Sequence, residues 1–438
     1  MRRWLLAGVA AGIVLGPMAF PAFAQQPVPV PKIDPGDTAW MLVSTALVML
    51  MTPGLAFFYA GMVRRKNVMG TIMHSFIMVA LISVQWVLWG YSLAFGPDQG
   101  GIIGSLSWFG LGGVGLEPYP DYAATIPHQL FMIYQGMFAV ITPALITGAF
   151  AERIRFGPFV LFSLLWATLV YDPIAHWVWG IDGWLRKLGA LDFAGGTVVH
   201  INAGVAGFVT ALLMGPRKGY KQEPMPPHSL PLTVLGASLL WFGWFGFNAG
   251  SALGSGALAT TAFVNTNTAT AAAVIGWVLV DWIGRGKPTV LGAASGAVAG
   301  LVAITPAAGF VSPVGSIIIG LVAGILCGVA VIVRARTRLD DSLDVFSVHG
   351  VGGTWGALAT GLLAQKAVNS AGADGLFFGN AAQFGIQFLG VLATYVYAAV
   401  GTYVLYKIVH ALFGVRTSEE EELMGLDLSQ HEESGYNF

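Results

Sequence analysis

The chain has 438 residues, of which 55% are hydrophobic and only 10% are charged, and its formal net charge is −1. Soluble domains usually carry about 25% charged residues, so this composition excludes an ordinary soluble domain and predicts an all-α protein that crosses a membrane several times. The balanced charge gives no indication of a nucleic-acid partner, and the single cysteine, Cys327, excludes disulfides and a thiolate metal site.

The N-terminus has the features of a cleavable signal peptide over residues 1–24. Two arginines precede a short apolar segment, and Ala22-Phe23-Ala24 matches the small-residue cleavage pattern. An uncleaved first membrane span is the weaker interpretation, because two prolines interrupt the apolar run. Cleavage after Ala24 would leave a Pro-rich, extended linker, residues 25–37, outside the cytoplasm.

Apolar runs of roughly 20 residues, the length that crosses a bilayer as a helix, occur eleven times after this linker. Lysines and arginines concentrate in the loops after odd-numbered spans, with thirteen there against three after even-numbered spans. The positive-inside rule therefore predicts an inner-membrane protein with a periplasmic mature N-terminus and a cytoplasmic C-terminus. The predicted spans are 38–61, 68–94, 126–150, 156–177, 196–215, 230–250, 257–283, 289–306, 313–333, 346–364 and 382–412.

One stretch in the fifth span carries titratable groups. Asp192, Gly196, His200 and Gly204 are four residues apart, so on a continuous helix they would form one stripe. A lone buried histidine is often satisfied by a backbone carbonyl, but a titratable group within a membrane is costly and usually functional. A second histidine, His349, follows a valine and precedes two glycines at the same spacing. The repetition indicates one site built twice.

Two other motifs recur in the same order along the chain. Ile-Thr-Pro-Ala at 141–144 recurs at 304–307, and Phe-x-Ala-Gly at 58–61 recurs at 247–250. Together with the histidine motifs, these recurrences match spans 1, 3 and 5 with spans 6, 8 and 10. The matches predict two repeats of five spans each.

The predicted repeats are residues 38–215 and 230–364, joined by a cytoplasmic loop at 216–229. Because five is an odd number, the two repeats must cross the membrane in opposite directions. In such inverted repeats, equivalent residues face each other near the bilayer midplane. We therefore expect His200 and His349 to meet in the middle of the membrane.

Several long motifs resemble the ammonium transporter family, and together they extend over nearly all of the predicted mature chain. The family's Rh branch is a poorer match, because DFAGGTVVH and GWFGFNAGS are of the transporter type. The matching stretches are AERIRF at 151–156, DFAGGTVVHINAG at 192–204, GWFGFNAGSA at 243–252, AFVNTNTATAAA at 262–273, DVFSVHGVGG at 344–353 and MGLDLSQHEE at 424–433.

The resemblance implies an external recruitment site for ammonium at Phe138, Trp179 and Ser251, with Asp192 as a buried carboxylate. Aromatic faces attract a cation by about 0.5–2 kcal/mol, and a serine oxygen accepts an N–H hydrogen bond. Aromatic clusters are more often a packed core or an interfacial belt, so these residues are singled out by the motif match. Asp192 also fits a plainer role as the N-terminal cap of its span.

The resemblance further implies a gate and a pore below the recruitment site. Two adjacent imidazoles, His200 and His349, can share one proton and pass it on. Potassium has no proton to lose, so deprotonation would exclude it. Ser347 and Thr354-Trp355 depart from the smaller residues that the family often has there. The gate residues implied are Phe138, Phe247, Trp244 and Gln135.

As a family member, the protein would be a homotrimer in the lipid membrane with one pore per subunit, would serve nitrogen metabolism and would need no cofactor or metal. A PII signal-transduction protein would dock on its cytoplasmic face. An enzyme is not indicated, because no nucleophile–base–oxyanion set or nucleotide loop occurs. Two alternatives stay open: an ammonium sensor or transceptor, and an Rh-like electroneutral gas channel.

The segment 413–438 forms a predicted cytoplasmic tail after the last span. By composition, its acidic run Glu419–Glu422 is typical of a disordered tail. In the family the matching tail packs on the cytoplasmic face and couples neighbouring subunits. Because basic residues occur in the loops at 64–66, 153–155 and 217–221, we expect an ordered tail that pairs with them.

Overall fold

Helices account for most of the chain in the computed structural model, which describes residues 32–437. The predicted signal peptide and most of the predicted linker lie outside the described residues. A helix lies in each of the eleven predicted membrane spans. Their bounds are α1 Pro35–Met62, α2 Arg65–Phe95, α3 His128–Phe150, α4 156–179, α5 Gly196–Met214, α6 Leu230–Ala249, α7 Ala257–Arg285, α8 Val290–Ile304, α9 Pro313–Arg336, α10 346–363 and α11 Ala381–Phe413.

Nine helices between residues 32 and 437 are long and apolar enough to cross a membrane, which identifies a helical membrane protein. The remaining two predicted spans are the shorter helices α8 and α10. α8 has 15 residues, and at about 1.5 Å per residue it measures roughly 22 Å, less than a hydrocarbon core of about 30 Å. The count of eleven spans therefore stays a prediction.

Smaller elements connect and extend these helices. Helix α1 begins at Pro35, inside the predicted linker, because the Asp34 carboxylate caps it by accepting a hydrogen bond from the Asp37 N–H at 2.9 Å. After α11 the tail forms two helices, α12 Glu419–Met424 and α13 Leu426–His431. The loops contain the antiparallel strands β1 Asp98–Gln99 and β2 Ile103–Gly104 and the short helices Leu106–Leu111, Trp184–Lys187 and Leu376–Phe378.

Five of the eleven main helices contain a segment with wider π-helical hydrogen bonding. In α5, for example, the His200 N–H donates to the Gly195 carbonyl five residues earlier, at 3.0 Å. Such π segments change the direction of side chains and often occur at functional sites. The segments are Trp86–Gly90, Ala167–Tyr171, Gly196–Ile201, Phe245–Ala249 and Phe346–Gly350.

Glycines allow α5 and α10 to cross in close contact. A Cβ on Gly204 would collide with the backbone of Gly350, and one on Gly353 would lie 3.1 Å from the His200 Cβ. Gly204 and Gly353 occupy equivalent positions in the two histidine motifs, each four residues after its histidine. The shared glycine spacing is therefore what permits the two histidine-bearing helices to approach each other.

A network of buried charges joins the loops at one end of the helix bundle, which we call the tail face. Glu152, with no exposed side-chain surface, binds Arg64 at 2.8 Å and Arg217 at 3.1 Å. Arg217 also binds Asp340 at 2.9 Å. Burial favours the neutral acid, but the charges of Arg217 and Arg64 outweigh it and lower the pKa of Glu152. Residues of the first predicted repeat are thus tied to residues of the second at this face.

The tail lies on the tail face and contacts all three basic loops. The Glu422 carboxylate accepts hydrogen bonds from the Lys218 N–H at 2.5 Å and from the Arg416 guanidinium at 2.8 Å. In the first loop, the Lys66 ammonium donates to the Leu423 carbonyl at 2.5 Å, and just beyond it the Asp427 carboxylate accepts the Gly70 N–H at 2.9 Å. In the third loop, Arg155 donates from its backbone N–H to the Val415 carbonyl at 2.9 Å. These contacts account for an ordered tail despite its acidic composition.

Candidate functional site: a buried histidine pair below an aromatic cavity

An outer cavity opens at the end of the bundle opposite the tail face. Trp179, at the C-terminal end of α4, is fixed by a hydrogen bond from its indole N–H to the Asp192 carbonyl at 2.9 Å. Its ring lies edge-on to that of Phe138, with 5.8 Å between the ring centres. The cavity is lined by Phe95, Tyr122, Phe131, Gln135, Phe138, Val178, Trp179, Arg186, Phe193, Ser251 and Leu253.

Ser251 contributes to this cavity a hydroxyl oxygen that can accept a further hydrogen bond. Its Oγ donates to the Phe247 carbonyl at 2.9 Å, which leaves its lone pairs for another donor. Tyr134 lies behind it, with its hydroxyl 3.2 Å from the Ser251 Oγ and 2.8 Å from the Phe247 carbonyl oxygen. Sequence reasoning missed Tyr134, since no local pattern distinguishes it from a core tyrosine.

Two phenyl rings close the floor of the outer cavity. The ring centres of Phe138 and Phe247 are 4.2 Å apart, and both side chains are almost fully buried. Gln135 lies one turn before Phe138, and its Oε1 is buried with no hydrogen-bond partner among residues 32–437. A carbonyl oxygen of this kind could accept a hydrogen bond from a small donor that reaches the gate.

A narrow middle cavity lies below the phenyl pair. Besides His200 and His349, its wall is apolar, so a charged group would lose most of its hydration there. Trp244 stacks on His200 with 5.3 Å between ring centres, and its indole N–H donates to Thr305 at 2.9 Å. The lining residues are Met51, Leu55, Ile141, Leu145, Val199, His200, Leu240, Trp244, Phe247, Val298 and His349.

The two histidines meet at this cavity, as the inverted-repeat pattern predicted. The Nδ1 atoms of His200 and His349 are 3.4 Å apart, and the ring planes are inclined by 24°. For this contact to be a hydrogen bond, one Nδ1 must carry a proton and the other must accept it, so the two Nδ1 atoms share one proton between them. The Nε2 atom of His200 has no hydrogen-bond partner between residues 32 and 437.

An inner cavity continues from the histidine pair toward the tail face. It shares His349 with the middle cavity, and Phe58 and Tyr59 on α1 form part of its wall. The carboxylates of Asp281 and Asp344 also line it. Three cavities therefore follow one another, separated by the phenyl pair and by the histidines.

Asp192 does not share the helical stripe that its spacing suggested, because α5 begins only at Gly196. Its carboxylate instead accepts hydrogen bonds from the N–H groups of Gly195 at 2.8 Å, Gly196 at 2.6 Å and Thr197 at 2.8 Å. The Thr197 hydroxyl also donates to it. Asp192 thus satisfies free N–H groups at the start of α5, as the capping interpretation expected.

Asp341 has the same relation to His349 as Asp192 has to His200, and sequence reasoning missed it. Its carboxylate accepts hydrogen bonds from the N–H groups of Val345 at 3.0 Å and Phe346 at 2.8 Å. Asp192 bonds to N–H groups at the same offsets of four and five residues. The available signal was the eight-residue separation of each aspartate from its histidine.

The departures at Thr354 and Trp355 point away from the histidine pair. The Thr354 hydroxyl lies 2.8 Å from the Tyr395 hydroxyl on α11, and the Trp355 indole N–H donates to the Ile319 carbonyl on α9 at 2.9 Å. Ser347 is buried at the start of α10. None of the three lines the middle cavity. No cluster of side chains that could hold a metal ion occurs between residues 32 and 437.

Comparison with known proteins gives a consistent result. A family model described as "Ammonium Transporter Family" matches residues 39–436. The chain is 58% identical to an "Ammonium transporter" of Bacillus subtilis (strain 168) over 402 residues, covering 92% of this chain and 98% of the relative. It is 52% identical to "Ammonium transporter Amt1" of Archaeoglobus fulgidus, covering 92% and 99% of the two chains.

Solved structures agree with these sequence relatives. The crystal structure of Saccharomyces cerevisiae Mep2 superposes with a TM-score of 0.83 at 38% identity and covers 89% of each chain. A structure titled "Sensor Amt Protein" superposes with a TM-score of 0.83 at 29% identity, covering 90% of this chain and 98% of that one. Both likenesses extend over about nine tenths of this chain.

Proposed function

Because the chain belongs to the ammonium transporter family, we propose that it recruits ammonium in the outer cavity, deprotonates it at the phenyl gate and conducts ammonia and a proton past the histidine pair. Transport of ammonium across a membrane, rather than an enzymatic reaction, is the activity of this family. The route through the three cavities and the role of each residue are the proposal.

The outer cavity has the groups that a hydrated ammonium ion needs when it leaves water. Trp179 and Phe138 present aromatic surface, which attracts a cation by about 0.5–2 kcal/mol. The Ser251 hydroxyl has free lone pairs to accept an N–H bond. Asp192, whose backbone carbonyl accepts the Trp179 indole N–H, would add a buried negative charge on this side of the bundle. These residues are the proposed recruitment site.

The phenyl gate and the apolar middle cavity favour loss of the proton. An ion that passes between Phe138 and Phe247 enters a narrow space without polar walls, where its charge is costly. Neutral ammonia is far less affected by this loss of hydration. Gln135 would accept a hydrogen bond from the ion just before the gate, and Trp244 forms part of the wall beyond it.

The observation that carries the proposal is the contact between His200 and His349 inside this apolar space. Their Nδ1 atoms are 3.4 Å apart, and the His200 Nε2 is unpartnered among the described residues. A proton received at one ring can therefore leave through the other, while ammonia passes alongside. Potassium, which has no proton to give up, would have to cross the middle cavity as a bare ion.

We propose the membrane orientation and the assembly on separate grounds. The tail face, with its basic loops, would be cytoplasmic, and the outer cavity would open to the periplasm of an inner membrane. The protein would form a homotrimer with one pore per subunit and eleven spans, a proposal supported by family membership. The ordered tail would couple subunits and help to form the surface on which a PII protein docks.

The test is to record currents from proteoliposomes when ammonium or methylammonium is added on one side. We expect a current with either ion and none with potassium at the same concentration. An electroneutral gas channel would acidify or alkalinise the lumen without current. A sensor, which the likeness to a "Sensor Amt Protein" brings into consideration, would bind ammonium without steady flux.

A further inference from the structure

A positive charge lies at the proposed entrance for a cation. Arg186 is one of the side chains that line the outer cavity, together with Trp179, Phe138 and Ser251. It is exposed, and no carboxylate lies within ion-pair distance of it between residues 32 and 437. An uncompensated guanidinium beside a site that binds cations works against binding, so its presence needs an explanation.

The fold holds Arg186 in this place. Its Nη1 donates to the Trp179 carbonyl at 2.6 Å, at the C-terminal end of α4. The chain folds back there, with the Ile181 N–H donating to the Tyr122 hydroxyl at 3.1 Å. A basic side chain is stabilised by the free carbonyls at a helix C-terminus, so a simple capping role is one explanation.

The adjacent Lys187 provides a direct comparison. It carries the same charge on the same short helix, but it pairs with Asp182 at 3.1 Å and does not line the outer cavity. Of the two neighbouring cations, only Arg186 therefore contributes an unpaired charge to the cavity. A further charge in this region is that of Asp121, near Tyr122. Asp192 contacts Trp179 through its backbone carbonyl, which accepts the indole N–H.

We propose that Arg186 is a charge filter that discriminates against cations of charge two or more at the entrance of the outer cavity. The repulsion between Arg186 and a ligand is proportional to the ligand's charge. If the repulsion lowers the affinity for a monovalent ion by a given factor, it therefore lowers the affinity for a divalent ion by the square of that factor. This inference deepens the proposed function and rests on the recruitment site being where we place it.

The expected size of the effect follows from Coulomb's law. For unit charges about 8 Å apart in a largely aqueous cavity, repulsion reduces the affinity of a monovalent cation about two- to four-fold. The same geometry reduces the affinity of a divalent cation about four- to sixteen-fold. Both factors fall toward one at high ionic strength, because the Debye length shortens from about 30 Å at 0.01 M to about 3 Å at 1 M.

The variants Arg186→Gln, Arg186→Lys and Lys187→Gln separate this effect from capping. Glutamine keeps an N–H donor but removes the charge, and lysine keeps the charge. Lys187→Gln removes the same charge outside the cavity. Methylammonium-evoked current in proteoliposomes gives the half-saturating concentration of a monovalent ion. Ethane-1,2-diammonium, added as a competitor, gives an inhibition constant for a divalent one.

At low salt we expect Arg186→Gln to lower the half-saturating concentration about two- to four-fold and the inhibition constant by about the square of that factor. Both changes should disappear at about 1 M salt. Arg186→Lys and Lys187→Gln should match the wild type. Equal changes for the two probes, changes that persist at high salt, or no change in Arg186→Gln would each overturn the filter. Weaker binding in both Arg186 variants would assign the residue to holding Trp179 instead.

The outcomes for the filter and for the proposed function can be told apart. A wild-type protein that gives no methylammonium-evoked current would refute the proposed function and the filter with it. A wild-type current whose half-saturating concentration depends on Trp179 but not on Arg186 would refute the filter alone.

Discussion

The Nδ1 atoms of His200 and His349 lie 3.4 Å apart although the residues are separated by 149 positions in the chain. The helices that carry them, α5 and α10, both begin with π-helical segments. The aspartate eight residues before each histidine accepts a hydrogen bond from the first N–H group of the segment. The two halves of the site are therefore equivalent in backbone, cap and side chain, as the prediction of two repeats would require.

Replacing Trp179 by leucine tests the recruitment site. Loss of an aromatic face worth about 0.5–1 kcal/mol should raise the half-saturating ammonium concentration about two- to five-fold. Trp179→Phe keeps an aromatic face and should show a smaller increase. Trp184, which packs on Trp177 and does not line the outer cavity, provides the control Trp184→Leu. If Trp179→Leu binds ammonium as the wild type does, Trp179 is a packing residue only.

Comparing variants of Asp192 and Asp341 distinguishes a role in helix capping from a role of the negative charge in ammonium binding. Asparagine can still cap a helix, so Asp192→Asn and Asp341→Asn should each reduce stability modestly, by about 1 kcal/mol or less. Only Asp192 contacts the outer cavity's Trp179, through its backbone carbonyl, so only Asp192→Asn should raise the half-saturating ammonium concentration. Concentration–current curves and thermal unfolding of both variants give the comparison. Indistinguishable curves for the two variants would reduce Asp192 to a cap.

We expect the Glu152 carboxylate at the tail face to make a pH-dependent contribution to the free energy of unfolding. The pKa of Glu152 is lowered in the folded protein, because the charges of Arg217 and Arg64 outweigh the effect of burial. Its ionised form therefore stabilises the fold fully above the unfolded-state pKa of about 4.3, and this contribution is lost as the pH falls through the lower folded-state pKa. Glu152→Gln should destabilise the protein by about 3–5 kcal/mol at neutral pH.

Thermal unfolding in detergent at pH 7 and at pH 4 would measure this contribution. The difference between Glu152→Gln and the wild type should be largest at pH 7 and should shrink toward pH 4. Glu420 is exposed in the tail, so Glu420→Gln is a control that should unfold with the wild type. If Glu152→Gln unfolds at the same temperature as the wild type at pH 7, the buried ion pairs make no net contribution to stability.

Deleting the chain from Ser418 onward tests the function of the tail. The deletion removes the Glu422 contact to Lys218 and the Asp427 contact to the start of α2. We expect lower ammonium current per protein and weaker inhibition by a PII protein. Asp427→Asn should show a smaller effect of the same sign, since it weakens one contact and keeps the rest. Normal current with normal PII inhibition in the truncated protein would make the tail dispensable.

The sequence predicts the helices and the meeting of the histidines because both depend on local patterns. Apolar runs locate the helices, and a repeated motif locates the pair. The two histidines are 149 positions apart, but their contact could be predicted because the same local motif occurs twice. Resemblance to the ammonium transporter family, now confirmed over residues 39–436, supplied the aromatic positions that no pattern distinguishes.

What the sequence does not reveal are contacts without a repeated motif. Arg153 donates to the Asp340 carbonyl, 187 positions away, at 2.6 Å, and nothing near either residue indicates this partner. The displacement of Asp192 from the helical stripe depends on Gly195, whose φ of 112° places it before the helix rather than in it. Spacing alone treats such a segment as continuous helix.

In the proposed function, the histidine pair carries the proton while ammonia crosses the middle cavity. The most direct measurement is the current evoked by ammonium and by potassium in proteoliposomes containing the wild type, His200→Ala or His349→Ala, with folding checked by gel filtration. Loss of a proton-transferring group typically costs about 100-fold or more. We therefore expect each variant to fold and to lose the ammonium-selective current by about that factor. Wild-type ammonium current with no potassium leak in both variants would contradict the proton relay.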